Sequence, residues 1–358
     1  MNRMDDAAMI MASGNSSPGE NSAQPGIAEL LGYKSREELH AAADRQCRET
    51  FGDAVFVRGL IEASNSCVRN CLYCGIRHAN ANISRYSMSD AEILTAVHGG
   101  FAAGLRSFVI QGAEDPLFYP QRLAGLAGSI KELTAGQAAI TYSFGTMERA
   151  EYAVLKSAGV DRYLLRFETA NAGLHQKLRG STLSRRLQAL GDLRSLDFEV
   201  GSGFMTGLPG STLADELDNI ELCRQLDLDM VGIGPFIPHP DTPLAADTCR
   251  GVQLAIDACA AVRLVLPAAN LPATTAAGSL AADGRERMLA AGANVLMPNI
   301  GSIGYKKDYE LYPGKICLDE DGLKCLGCLG LRVTSINKQL VLARGDSPAW
   351  TARKGVKQ

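Results

Sequence analysis

No stretch of this 358-residue chain approaches the ~20 consecutive apolar residues that a membrane-spanning helix requires. A surplus of one charge is also missing: 36 Lys and Arg face 39 Asp and Glu, for a formal net charge of −3. With a pI near 6.0 there is no basic field to attract nucleic acid. The N-terminus lacks a basic region followed by an apolar core, so a secretory signal is not expected. Residues 1–26, rich in Met, Ser, Asn, Ala and Gly, read as a disordered leader. The density of cysteine that marks a small secreted scaffold is absent as well, since ten Cys are spread over the whole length. Six of them fall in two tight clusters, which favours metal binding in a reducing compartment. Cys47, Cys223, Cys249 and Cys259 are scattered and read as buried free thiols. The expectation is a soluble, cytoplasmic protein with neither nucleic acid nor membrane as partner.

What is present begins with Cys67-Val68-Arg69-Asn70-Cys71-Leu72-Tyr73-Cys74. Three thiols with gaps of three and two residues can turn toward one point without help from distant sequence. An iron–sulfur cube that only carries electrons takes four protein ligands, so a local set of three leaves one iron open. A zinc knuckle is the competing reading, with His78 at the right distance to be a fourth ligand. Tyr73 directly before the third Cys, and the βα pattern that follows, weigh toward iron. These residues resemble the signature of the radical S-adenosylmethionine (SAM) enzymes. The resemblance implies a 4Fe–4S cluster held by Cys67, Cys71 and Cys74, SAM chelated at its open iron, and Tyr73 near the adenine.

At 46% apolar the chain can bury a barrel-sized core. Short β-rich runs alternate with helical stretches, the pattern of βα units on a parallel sheet. Candidate strands are Val57–Ala63, Ser107–Gln111, Ala139–Phe144, Arg162–Phe167, Val200–Thr206, Met230–Pro235, Asn270–Thr275 and Asn294–Pro298. Helical stretches fall near 89–103, 120–135, 148–158, 183–196, 212–226, 247–265 and 280–291. A helix opened by Ser35 with Glu38 as a capping box, running to about Cys47, precedes them. Eight strands with crossover helices predict an α/β fold, a (β/α)8 TIM-type barrel, over 27–335. An N-terminal helical extension precedes it, and residues 336–358 form a tail. The alternative is a six-strand partial barrel, because the run after Leu264 is rich in proline.

In a barrel, functional residues gather where strands end. Arg166 and Glu168 stand at alternate positions at the end of an otherwise apolar strand, where both would point inward, and a charged ligand is their natural partner. SAM is such a ligand. Glu168 can accept from its ribose hydroxyls or ammonium, Arg186 or Arg166 can grip its carboxylate, and Met230 and Ile237 can cover its adenine. Near the C-terminus, Cys317, Cys325 and Cys328 form a second local set of three thiols, where zinc and an auxiliary iron–sulfur cluster fit the spacing equally.

The two cysteine sets and the segments between them resemble one family of radical SAM enzymes, HydE, the maturases of the di-iron hydrogenase active site. The specific pieces are Cys71-Leu72-Tyr73-Cys74-Gly75, Asp161 to Arg166, Glu168-Thr169-Ala170-Asn171, Asp229 to Pro243, Pro272 to Ala276, Met297-Pro298-Asn299 and Tyr312 to Cys317. Biotin synthase and methylornithine synthase share the first motif but not this C-terminal cysteine set. The resemblance implies that Thr141, Glu168, Arg186, Met230 and Ile237 line the SAM site, with Tyr73 and Gln111 in the same cofactor-binding set. It implies that Arg162, Arg166, Thr274, Thr275, Met297, Tyr309 and Tyr312 surround an inner substrate cavity. Cys317, Cys325 and Cys328 match an auxiliary site that the core reaction does not need. Two positions depart from the family: Gln111-Gly112-Ala113-Glu114-Asp115 lacks a usual Ser, and Gly145-Thr146 replaces a Gly-Glu pair. The implied reaction takes one electron from a donor such as ferredoxin or flavodoxin and cleaves SAM to methionine and a 5'-deoxyadenosyl radical. That radical attacks the sulfur of a cysteine-bound iron carrying carbon monoxide and cyanide, supplied by a sister maturase. A radical SAM enzyme acting on a small organic substrate is the alternative.

Overall fold

The computed structural model describes residues 26–355, so the expected leader lies outside the described residues except for Gly26. The first strand, β1 (Ala54–Val57), is followed by β2 (Gly59–Ser64), β3 (Ser107–Gly112), β4 (Ala139–Ser143), β5 (Arg162–Leu164), β6 (Glu199–Thr206) and β7 (Met230–Pro235). From β2 to β7 the strands pair in chain order, all parallel, each separated from the next by helix. Apolar side chains dominate the buried positions of these strands, as both faces of such a sheet are covered.

Two thinner staves complete the ring. Val231 N donates to Asn270 O at 3.0 Å, and Pro272 bridges Val295 in β8 (Val295–Leu296). Beyond β8, Leu60 N donates to Pro298 O at 2.9 Å and Ile300 N to Leu60 O at 2.8 Å, which returns the sheet to β2. The barrel therefore closes with eight members. The run expected as strand Asn270–Thr275 makes isolated bridges at Asn270 and Pro272 rather than a continuous ladder, for a local reason. Pro272 has no N–H to give, and Thr274 caps the helix Thr275–Leu280 by accepting from Ala277 N. Side-chain amides take over part of the ladder: Leu271 N donates to Asn294 Oδ1 at 2.8 Å, and Asn294 Nδ2 to Asn270 Oδ1 at 2.9 Å.

The fourth expected strand, Arg162–Phe167, ends early at Leu164. Phe167 N donates to Ser202 Oγ at 3.2 Å and that hydroxyl donates to Leu165 O at 2.8 Å, so a side chain interrupts the ladder. The chain then turns through a left-handed residue, Glu168, at φ 67°.

At the opposite end the barrel is sealed by the C-terminal residues. They were expected as a separate tail, but β9 (Gln339–Val341) pairs with β1. Arg162, expected in the substrate cavity, lies in this seal. It begins β5 opposite Glu199 at the start of β6, far along the strands from their cavity ends. Its guanidinium is wholly buried and donates to Glu199 Oε2 at 2.6 Å, Ser107 Oγ at 2.7 Å, Arg344 O at 2.9 Å and the Asp346 carboxylate. The side chain is used up in closing the barrel and does not face the cavity.

The helix Arg36–Phe51 starts at Ser35, whose Oγ accepts from Glu38 N at 3.3 Å. Only half of the capping box forms, because the Glu38 carboxylate accepts from Lys34 N instead. The helix runs a turn past Cys47 to Gly52 and packs beside the barrel on the helix Gln253–Val265. Cys47, Cys223 and Cys259 are buried free thiols, and Cys249 is half-buried. Among the described residues no helix is long and apolar enough to cross a membrane.

Candidate active site

The loop carrying Cys67, Cys71 and Cys74 follows β2 and has no regular structure, so its backbone polar groups need other partners. Arg85 supplies many of them, donating to the carbonyls of Asn65 (2.6 Å), Ile76 (2.8 Å), Arg77 (2.6 Å) and Asn80 (3.0 Å). Three backbone bonds pin the loop to its surroundings: Val68 N to Glu114 O, Leu72 N to Leu178 O, and Gly75 N to Leu311 O, at 3.1, 2.8 and 3.0 Å. Gly75 is required there, since a Cβ would lie 2.3 Å from Glu310 O. His78, the fourth ligand in the zinc reading, engages the Cys67 carbonyl through Nδ1 at 3.1 Å.

All three thiols open onto one cavity of about 390 Å³ inside the barrel. Its walls carry Tyr73, Gln111, Thr141, Arg166, Glu168, Arg186, Met230 and Ile237, together with Thr274, Thr275, Met297, Tyr309 and Tyr312. Among the sequence-predicted SAM and substrate residues, Arg162 alone is elsewhere. Glu168 Oε2 forms an ion pair with Arg166 Nη2 at 3.2 Å, while Arg179 Nη1 stands 3.6 Å from Glu168 Oε1. Glu168 Oε2, Thr141 Oγ1 and the Nε atoms of Arg166 and Arg179 are buried, yet they hydrogen-bond to nothing among the described residues. Unsatisfied polar atoms around a cavity mark where a polar ligand belongs.

Burial pushes the Cys74 thiol up to about 12, and burial raises Cys71 too, with Arg179 pulling the other way. A thiolate at that depth needs a positive centre beside it, which iron provides. Among the described residues, no three His, Cys, Asp or Glu side chains are close enough to share a single metal ion. A four-iron cube offers separate corners to its three thiolates, so those ligands stand further apart than the ligands of one ion. The cysteine set, the electrostatic need and the orphaned polar wall fit a cube with SAM.

Comparison with known proteins agrees with this geometry. Residues 61–241 match the family model described as the radical SAM superfamily. The chain is 43% identical over 334 residues to the [FeFe] hydrogenase maturase subunit HydE of Thermotoga maritima, covering 92% of this chain and 93% of the relative. The chain belongs to the HydE family of radical SAM enzymes. A 3-methylornithine synthase of Methanosarcina acetivorans is more distant, at 27% identity over 75% of this chain and 76% of its own. The crystal structure of the methylornithine synthase PylB shares the fold, with a TM-score of 0.74 at 24% identity over 95% of this chain and 97% of that one.

Several cavity residues of this HydE-family chain were not singled out from sequence. Arg179 donates to the Tyr73 hydroxyl at 2.9 Å and stands 3.5 Å from Glu114. Arg58 lines the inner end, donating to Met230 Sδ at 2.8 Å, and burial lowers it to about 9. Glu62 accepts from Lys315 at 2.7 and 2.8 Å and from Asn299 at 2.7 Å. The helix that carries Arg179 had a sequence signal, though the contacts of its last residue did not. Asn171 caps the helix Ala172–Arg179 by accepting from Leu174 N, and Gly180 ends it in a left-handed turn.

Cys317, Cys325 and Cys328 are not on the cavity wall. Cys325 Sγ donates to Glu320 Oε2 at 3.0 Å, and Cys328 is exposed. The segment before them is shared with the cavity, because Tyr312 and Lys315 reach it.

Proposed function

We propose that this chain matures an FeFe-hydrogenase active site by the chemistry its family resemblance implies. Cys67, Cys71 and Cys74 would hold the 4Fe–4S cluster, and an electron donor such as ferredoxin or flavodoxin would reduce it. With cluster and SAM bound, one electron passed to the sulfonium would yield methionine and a 5'-deoxyadenosyl radical able to attack the sulfur of a cysteine-bound Fe(CO)2CN substrate. The protein's part is to bind, orient and exclude water. Glu168 accepts from the SAM ribose or ammonium, Arg186 and Arg166 face its carboxylate, and Thr141 supplies the hydroxyl left unpaired in the wall. Tyr73, Gln111, Met230 and Ile237 enclose the nucleoside. Further in, Arg166, Thr274, Thr275, Met297, Tyr309 and Tyr312 would surround the anionic iron substrate, delivered by a sister maturase. The Arg162–Glu199 seal below and the Lys315–Glu62 pair above keep water from a radical that would otherwise be quenched.

What supports this reading is one cavity that runs from three cysteines to a cationic and hydroxyl-bearing interior, in a chain 43% identical to a HydE. Expression in a host that lacks its own HydE but carries the other maturases and an apo-hydrogenase tests it. Hydrogenase activity should return. Failure there, with formation of biotin or 3-methylornithine in the matching assays, would favour the organic-substrate reading.

Two variants divide the roles. Glu168→Gln should weaken SAM binding about tenfold, the usual loss for a charge-assisted hydrogen bond, while cluster iron stays at the parent level. Loss of iron along with SAM would make Glu168 a support of the fold. Replacing Cys317, Cys325 and Cys328 together with Ala should lower total iron, or zinc if that is the occupant, and leave SAM cleavage and maturation in place. If the first cluster persists but SAM is no longer cleaved, the second site is an obligate electron relay.

A further inference from the structure

The mouth of the cavity holds an arginine whose contacts reach both the cysteine loop and the carboxylate wall. Arg179 closes the helix Ala172–Arg179, and its side chain is 12% exposed. Nη1 donates to the Tyr73 hydroxyl at 2.9 Å and lies 3.6 Å from Glu168 Oε1, while Nη2 lies 3.5 Å from Glu114 Oε1. The preceding residue accepts a backbone bond from the cysteine loop, Leu72 N to Leu178 O at 2.8 Å, so the end of the helix and the loop are fixed to each other. Glu114 is bound on its other oxygen by Arg69, itself in the cysteine loop, at 2.7 Å.

We infer that Arg179 is a positioning residue that ties Tyr73, Glu114 and Glu168 to the cysteine loop and places a fixed positive charge against that loop, raising the reduction potential of the centre held there. The inference rests on the reading of Cys67, Cys71 and Cys74 as cluster ligands. Reduction adds negative charge to the centre, so a nearby buried cation favours the reduced form, and its removal moves the potential down. Other charged groups at the mouth do not replace it. Arg69 is partly exposed and engaged by Glu114, Arg85 is spent on four carbonyls of the loop, Arg166 is paired with Glu168, and Arg186 lies in the cavity wall. The planar fork of arginine reaches three acceptors at once, which a single ammonium cannot do.

The test uses the full chain, reconstituted anaerobically, with iron content, the midpoint potential of the cluster without SAM, and SAM affinity measured in parallel. Arg179→Met should load iron like the parent, show a more negative potential, and bind SAM about tenfold more weakly because Glu168 is no longer held. Arg179→Lys should restore the potential, since the charge returns, but not the SAM affinity, since the fork does not. A parent potential in Arg179→Met, or an equal shift in Arg179→Lys, would overturn the inference. Should Arg179→Met fail to load iron, Arg179→Gln makes the same comparison. If both neutral variants stay iron-free while Arg179→Lys loads, the residue retains the cluster rather than setting its potential, and the inference falls. A parent chain that binds no cluster would instead remove the reading on which it rests.

Discussion

Single replacement of Cys67, Cys71 or Cys74 with Ala abolishes 5'-deoxyadenosine formation. Each thiolate would hold a different corner of the cube, so losing one would open a second iron and remove either the cube or the single open corner that SAM needs. The control is Cys249→Ala, a half-buried thiol outside both clusters, which should cleave SAM at the parent rate. Iron, sulfide and 5'-deoxyadenosine measured on the same preparations distinguish loss of the cube from loss of its chemistry. Full product formation by any one of the three single variants is incompatible with the assignment.

Arg162→Ala should destabilise the chain by about 3–5 kcal/mol, the range for removing one partner of a buried ion pair. Glu199 is wholly buried and would lose its 2.6 Å partner, and Ser107, Arg344 O and Asp346 would lose theirs. Arg58, 3.9 Å from Glu199, is too distant to take over the bond without moving. Denaturant unfolding reads the loss directly, and thermal unfolding of a chain this long should shift down by roughly 4–7 °C. Had Arg162 lined the cavity, the variant would keep its stability and lose substrate turnover instead. That outcome would contradict the placement of Arg162 in the seal.

Arg162 shows what the sequence could and could not convey. Its neighbourhood, Asp161 to Arg166, carries the family pattern, and Arg166 does reach the cavity, but Arg162 begins β5 while Arg166 lies two residues past its end. Only the pairing of Arg162 with Glu199, a residue distant in sequence, tells which end is which. The alternation of β-rich and helical runs was legible because each unit repeats the same local pattern. The last two staves were weaker in sequence because Pro272 and the asparagines replace a regular ladder with side-chain bonds. Glu168 and Ile237 could be located because they follow the ends of β5 and β7, whereas Thr141 lies within β4 and Met230 begins β7, so the family pattern alone pointed to those two. Arg179 could not, because it comes from a helix between two units, and its value depends on contacts with Tyr73, Glu114 and Glu168 that only the folded chain creates. The C-terminal seal was invisible for the same reason: Gln339–Val341 is a short, polar-edged strand whose partner, β1, lies nearly three hundred residues earlier.

The most direct measurement is of SAM cleavage by the anaerobically reconstituted chain under a strong one-electron reductant. The account predicts about four irons at the first site, and methionine and 5'-deoxyadenosine released in equal amounts, with neither formed when the reductant is left out. A chain that carries the cluster and binds SAM but releases no 5'-deoxyadenosine under reduction would contradict it.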